Sequence, residues 1–204
     1  MKFICIGKNY LAHAREMGWQ IPQEPMFFFK PENALPSQAG IFPYPEFSQD
    51  VHYEIEVAVR IDAGGRNLTE EQAAGCYSHI SLGIDFTARD LQKQQKELGF
   101  PWEICKSFED SAPVGSWIPL EEFGGDIQNL SFTLEVNGEG KQQGATRDMI
   151  FPVNQLIAHI SRYVTLDPGD IMFTGTPEGI GPVQPGDTLK GYLEGTEVIA
   201  VTVQ

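Results

Sequence analysis

Cysteine is scarce and odd in number. Cys5, Cys76 and Cys105 lie far apart in apolar surroundings, which excludes a disulfide framework or cysteine-based zinc site and suits reduced structural thiols. Long apolar runs are missing too: none approaches the roughly 18 residues of a membrane span. The opening stretch Met1-Lys2-Phe3-Ile4-Cys5-Ile6-Gly7 is too short for a secretory signal, so a cytoplasmic location is expected. Basic residues are half as numerous as acids, 14 against 28, for a formal charge of −14. That balance disfavours nucleic acid and anionic membranes as partners. It leaves acidic small molecules open, because a metal and a few local cations can reverse the field inside one pocket. No Gly-Lys-Ser/Thr follows a glycine-rich turn, and His52 is the only histidine near the central acids. A phosphate loop and a two-histidine, one-carboxylate iron site therefore find no support.

What is present fits one domain over residues 1–204, large enough to bury a substantial core. A short strand at the start, a helical or mobile stretch from Tyr10 to Met17 and proline-punctuated extended pieces fill the first 50 residues. A strand is expected over Tyr53–Ile61, and Thr69-Glu70-Glu71-Gln72 reads as a capping box opening a helix to about Tyr77. A strand then ends at Asp85, and Thr87-Ala88-Arg89-Asp90 resembles a capped helix start running toward Lys96. Asn137-Gly138 after Ser131–Val136 signals a hairpin, and Pro152 opens a helix with Val153, Leu156, Ile157, Ile160 and Val164 on its apolar side. Further strands are expected at Ile171–Thr174, Thr188–Leu193 and Val198–Val203. Strands outnumber helices without regular alternation, so the expected class is α+β, with a large mixed sheet curled around a site.

In an extended Tyr53–Ile61, His52, Glu54, Glu56 and Ala58 face one way and Ile55, Val57, Val59 and Ile61 the other. The acids could line a cleft or simply form a solvated face. Asp85 could join them in holding a hard divalent cation, or be a turn residue. His13 and Glu16, three apart, are neighbours if their segment is helical; they could be a surface ion pair or an imidazole base oriented by a carboxylate. Lys106, in the strand-like Ile104-Cys105-Lys106-Ser107-Phe108, could snorkel to water or balance a buried acidic cluster and receive an oxyanion. The turn Phe173-Thr174-Gly175-Thr176-Pro177 could bind a carboxylate through its amides and the Thr176 hydroxyl, or be a turn without a ligand.

Taken in order, Ile6-Gly7-Lys8-Asn9-Tyr10, Glu54-Ile55-Glu56, Asp85-Phe86-Thr87-Ala88-Arg89-Asp90, Lys106-Ser107-Phe108 and Thr174-Gly175-Thr176-Pro177 resemble the fumarylacetoacetate hydrolase family. The likeness is to its small acylpyruvase and oxaloacetate decarboxylase type, covers nearly the whole chain, and implies the fold of that family's C-terminal domain with short helices. It implies Glu54, Glu56 and Asp85 as ligands of Mg²⁺ or Mn²⁺. It makes His13 and Glu16 a water-activating pair on a lid, Lys106 the enolate-stabilising lysine, and Arg89, Gln92 and Thr176 substrate contacts. Lys8 stands where many relatives carry Arg. A homodimer acting on a small 2-oxo acid is implied as well.

All-oxygen ligands suit Mg²⁺ or Mn²⁺. The expected reaction is hydrolysis of the C3–C4 bond of an acylpyruvate such as acetylpyruvate or fumarylpyruvate, through a pyruvate enolate. Oxaloacetate decarboxylation and keto-enol tautomerisation would use the same site. A non-catalytic binder of oxalate-like anions is a third reading, against which the His13–Glu16 pair argues.

Overall fold

A computed structural model describes residues 1–204. The chain runs β1 (Phe3–Gly7), α1 (Leu11–Glu16), β2 (Met26–Lys30), β3 (Ile41–Phe42), β4 (Val51–Tyr53), β5 (Ile55–Arg60), α2 (Glu70–Ala73), β6 (His79–Ile84), β7 (Thr87–Ala88), α3 (Arg89–Leu98) and α4 (Glu103–Lys106). It continues through β8 (Ile118–Pro119), β9 (Ser131–Val136), β10 (Glu139–Ala145), α5 (Val153–Ser161), β11 (Ile171–Phe173), β12 (Gly181–Pro182), β13 (Thr188–Leu193) and β14 (Thr196–Val203).

The mixed α+β class stands, but the strands divide over three sheets rather than forming one. A six-stranded sheet has the order β2-β1-β11-β5-β6-β8, a five-stranded sheet β10-β9-β13-β14-β3, and a three-stranded sheet β12-β4-β7. The first two are mixed, with parallel pairs β1–β11 and β14–β3. The expected unbroken strand over Tyr53–Ile61 is divided at Glu54: β4 pairs with β7 and β12, whereas β5 pairs with β6 and β11. Glu54 therefore sits where the chain changes sheets.

Alternation along β5 sorts its side chains as the sequence pattern predicts. Ile55, Val57, Val59 and Ile61 enter a core of 37 buried residues, while Ala58 lies in a smaller cluster with Phe3, Cys5 and Phe173. Full burial of each such aliphatic side chain is worth ~1.5–3 kcal/mol, so the register is firmly fixed. A one-residue slip would drive Glu54 and Glu56 into the larger core.

Local signals elsewhere fare unevenly. The Thr69 capping box forms, but its helix ends at Ala73 instead of Tyr77. Thr87 does not cap α3: it belongs to β7, and its hydroxyl donates to the Asp85 carbonyl. Asp90 instead accepts from Ser48 Oγ and Gln49 N, tying α3 to the preceding loop. The Asn137-Gly138 turn joins β9 to β10 with both residues at positive φ, and α5 buries Val153, Leu156, Ile157 and Ile160; Val164 lies beyond its end. All three cysteines are buried free thiols. No helix is long and apolar enough to cross a membrane.

Candidate active site

Glu54 at the sheet junction, Glu56 on β5 and Asp85 just beyond β6 converge because β5 and β6 are paired. The Asp85 amide also donates to the Glu54 carbonyl at 2.8 Å. One carboxylate oxygen from each residue lies within 4.8 Å of the others, and all three residues are buried. These acids face a closed cleft rather than water.

Three cations surround them. Lys106 Nζ bridges Glu54 Oε2 at 2.8 Å and Asp85 Oδ2 at 2.7 Å, Lys30 Nζ lies 2.7 Å from Asp85 Oδ1, and Arg89 Nη2 lies 2.5 Å from Glu54 Oε1. Burial alone would raise the Glu54 pKa, but the Lys106 and Arg89 charges outweigh it and hold the carboxyl well below its usual range. Glu56 goes the other way: burial, then the Asp85 and Glu54 charges, push it well above that range. It accepts one backbone hydrogen bond, from Gly175 N at 2.5 Å. Lys106 is raised, since Asp85 and Glu54 overcome its desolvation.

This donor set fits a hard divalent cation. Three carboxylates offer only oxygen and leave room for water and substrate oxygens, and a cation among them would offset the burial and like charges that raise the Glu56 pKa. Asp85 Oδ1 has an ion-pair neighbour in Lys30 but no aligned hydrogen-bond donor. It is thus a buried oxygen with coordinating capacity to spare.

Lys106 occupies the last turn of α4, not a strand. Its amide bonds back to the Trp102 carbonyl, and Ile104 is exposed while Cys105 is buried. The helix brings the ammonium to the acids.

Lys30 was not legible as a site residue. It ends β2 fully buried, and its ammonium donates to the carbonyls of Phe86, Lys106 and Ser111 and to Ser111 Oγ. The one sequence signal was a lysine closing the apolar run Met26-Phe27-Phe28-Phe29. Gln142, also unforeseen, accepts from Ile55 N and donates to Thr176 Oγ1 and Pro177 O. It links the β9–β10 hairpin both to β5 and to the turn after β11.

Leu11-Ala12-His13-Ala14-Arg15-Glu16 are serviceable helix formers, and α1 buries His13 and Ala14. His13 Nδ1 lies 2.9 Å from Glu16 Oε2, and Glu16 Oε1 accepts from Gly179 N at 3.1 Å. Where Glu16 accepts from Nδ1, a neutral His13 ring presents Nε2 as its basic atom. Asn9 anchors the entry to α1, donating to the carbonyls of Phe151 and Thr174. Gly175, at φ +101°, leaves the space a Cβ would occupy 2.7 Å from Asn9 Cβ.

His13, Glu54, Glu56, Asp85, Lys106, Gln92 and Thr176 line one narrow cavity with about 20 Å³ of free volume, room for about one water. Arg89 does not line it; its guanidinium is held by Glu54 and by Gln92 Oε1 at 2.7 Å. His52 pairs with Asp50 and is not among the clustered ligands. A larger hollow of about 550 Å³ beside Tyr10, Arg15 and Arg147 contains none of the three acids. The three acids, Lys106 and His13 thus share the smaller space.

The family described as fumarylacetoacetate (FAA) hydrolase C-terminal matches residues 2–204. The oxaloacetate tautomerase of Escherichia coli strain K12 is 44% identical over 194 residues, covering 95% of this chain and 89% of that protein. The mitochondrial oxaloacetate tautomerase of Bos taurus is 38% identical over 192 residues, covering 94% and 86%. Among solved structures, fumarylpyruvate hydrolase from Pseudomonas aeruginosa, in complex with Mn²⁺ and pyruvate, superposes with a TM-score of 0.92 at 38% identity. That match covers 100% of this chain and 89% of the other.

Proposed function

Because this chain belongs to the fumarylacetoacetate hydrolase family, we propose that residues 1–204 are one catalytic domain that hydrolyses the C3–C4 bond of an acylpyruvate. Glu54, Glu56 and Asp85 hold a Mg²⁺ or Mn²⁺ ion, and a homodimer is the working assembly. Bound there, the ion would supply a Lewis acid that favours the enolate of a 2-oxo acid. The observation that carries the reading is that His13, paired with Glu16 behind it, lines the same cavity as the acids and Lys106.

His13 Nε2 takes a proton from water as the water oxygen attacks the C4 carbonyl. The C3–C4 bond then breaks, its electron pair moves into the C2 carbonyl to give pyruvate enolate, and the carboxylic acid leaves. Lys106 keeps an ammonium beside the developing negative charge. The proton taken by His13 returns to C3, so water and acylpyruvate yield acid and pyruvate with nothing left over. Gln92 and Thr176 are contacts for the substrate; Arg89, fixed on Glu54 and Gln92, orders the wall behind it. With about 20 Å³ free the cavity must widen to take an acylpyruvate, and an outward movement of α1 would do so by breaking the Glu16–Gly179 hydrogen bond.

Similarity to relatives named oxaloacetate tautomerase favours a second reading on the same residues. His13 would then move a proton between C3 and the 2-oxygen with no attacking water; decarboxylation would likewise need none. With Mg²⁺ present, pyruvate release from acetylpyruvate and fumarylpyruvate and the enol absorbance of oxaloacetate separate these outcomes. His13→Ala should lower acylpyruvate cleavage by about 10²–10⁴-fold while leaving Mn²⁺ binding in place. Unimpaired cleavage in that variant would remove His13 from the mechanism. Wild-type protein that interconverts oxaloacetate and leaves acylpyruvates intact would establish the second reading, and metal-loaded protein that turns over nothing would return the oxo-acid binder.

A further inference from the structure

Two lysines serve the Asp85 carboxylate, and they are held in opposite ways. Lys106 Nζ hydrogen-bonds only to Glu54 Oε2 and Asp85 Oδ2, so both its acceptors belong to the acid cluster. Lys30 Nζ, on a fully buried side chain, donates instead to the carbonyls of Phe86, Lys106 and Ser111 and to Ser111 Oγ. An ammonium has three N–H donors, and these acceptors use them up. Lys30 therefore comes within 2.7 Å of Asp85 Oδ1 without giving that oxygen an aligned hydrogen bond. It supplies a charge and leaves the oxygen's lone pairs free.

None of the hydrogen-bond acceptors of Lys30 is a carboxylate, so its position does not depend on what the acids hold. Ser111 is itself fixed, its hydroxyl donating to the Phe108 carbonyl at 2.6 Å. Arg89 is fixed likewise on the other side of the cluster, by Glu54 and Gln92. Lys30, Arg89 and the two charges of a divalent ion together outweigh three carboxylates. In that state the acids no longer need Lys106, and the fixed charge of Lys30 on the same carboxylate repels it. Its ammonium is then the one cation of the cluster free to turn to another anion.

We propose that Lys30 is a positioning residue: its fixed charge on Asp85 drives the Lys106 ammonium off the carboxylates of the ion-loaded site and turns it to the negative charge that develops on the substrate. This rests on the reading that Glu54, Glu56 and Asp85 hold a divalent ion and that Lys106 faces the enolate. Without Lys30, Asp85 keeps Lys106 as its only neighbouring ammonium, and the enolate loses that charge.

The test compares wild type with Lys30→Met, Lys30→Gln and Ser111→Ala in the full chain. Mn²⁺ affinity is read from the electron paramagnetic resonance signal of the free ion, and kcat from whichever of acylpyruvate cleavage or oxaloacetate enolisation the wild type performs. Removing a positive charge from beside Asp85 should leave Mn²⁺ bound no more weakly than in wild type, while kcat falls about 10- to 100-fold. Ser111→Ala, which takes one acceptor from Lys30 and keeps its charge, should lower kcat by less, with Mn²⁺ affinity unchanged. A merely structural role gives a different split, since a loosened Asp85 weakens Mn²⁺ binding and kcat together. That pattern, or wild-type kcat in folded Lys30→Gln, overturns the positioning role. If the Lys30 variants do not fold, wild-type kcat in Ser111→Ala overturns it. Wild-type protein that binds no Mn²⁺, or binds it and turns over neither substrate, overturns instead the reading on which this inference rests.

Discussion

Replacing Lys106 with Met removes one ammonium from two carboxylates that have almost no access to water. Lys106, Glu54 and Asp85 side chains are 4%, 7% and 1% exposed, and the ion pairs span 2.8 and 2.7 Å. Breaking a buried ion pair from one side costs about 3–5 kcal/mol, because the remaining charge is stranded. A chain of this size loses about 2–4 °C in Tm per kcal/mol, so Lys106→Met should melt about 6–20 °C below wild type in EDTA. Thermal unfolding followed by circular dichroism reads this directly. Glu54 has a depressed pKa, so its contribution is present above the ordinary carboxylate range and is lost as pH falls through its folded value; the gap between wild type and variant should therefore narrow in acid. Saturating Mg²⁺, at about 100 times Kd, should return about 2.7 kcal/mol by mass action, leaving a folded protein that binds metal but turns over slowly. Equal melting temperatures in EDTA at neutral pH would refute the reasoning, and would mean that protonation rather than Lys106 neutralises the cluster.

One further perturbation follows from particular atoms. A Cβ on Gly83 would meet the Phe173 ring at 2.3 Å. Gly83→Ala should cost about 1–3 kcal/mol by overpacking, visible as a lower denaturation midpoint in urea, and an unchanged midpoint would contradict the packing between β6 and β11.

The α+β class, the Asn137-Gly138 hairpin, α5 and the sorting of β5 were legible because each is a local pattern: a period of two, a period of 3.6, or a turn residue. The two acids at i and i+2 and the aspartate closing the next strand were legible as a group for the same reason, since pairing β5 with β6 brings them together. The break at Glu54 was not, because partner strands from β7, β12, β6 and β11 decide where the chain changes sheets. Lys106 was singled out but assigned to a strand, as four residues cannot distinguish strand from helix by period. Lys30 reaches Phe86, Lys106 and Ser111 across 56, 76 and 81 positions, and Gln142 reaches Ile55 across 87. No spacing rule carries information over such distances. The Lys96 ammonium, 4.0 Å from the Trp19 ring centre and 5.5 Å from that of Trp102, is hidden likewise: a lysine on a helix in an acidic chain reads as a solvated face until the indoles are placed around it.

Metal-dependent turnover tests the central claim most directly. Protein stripped with EDTA and back-titrated with Mn²⁺ is assayed for pyruvate release from acylpyruvates and enol absorbance of oxaloacetate. The account predicts no turnover without the ion, recovery that saturates at one ion per chain, and loss of that recovery in Glu56→Gln. Equal turnover in EDTA, or full recovery in the Glu56→Gln variant, would contradict the assignment of Glu54, Glu56 and Asp85 as the metal site.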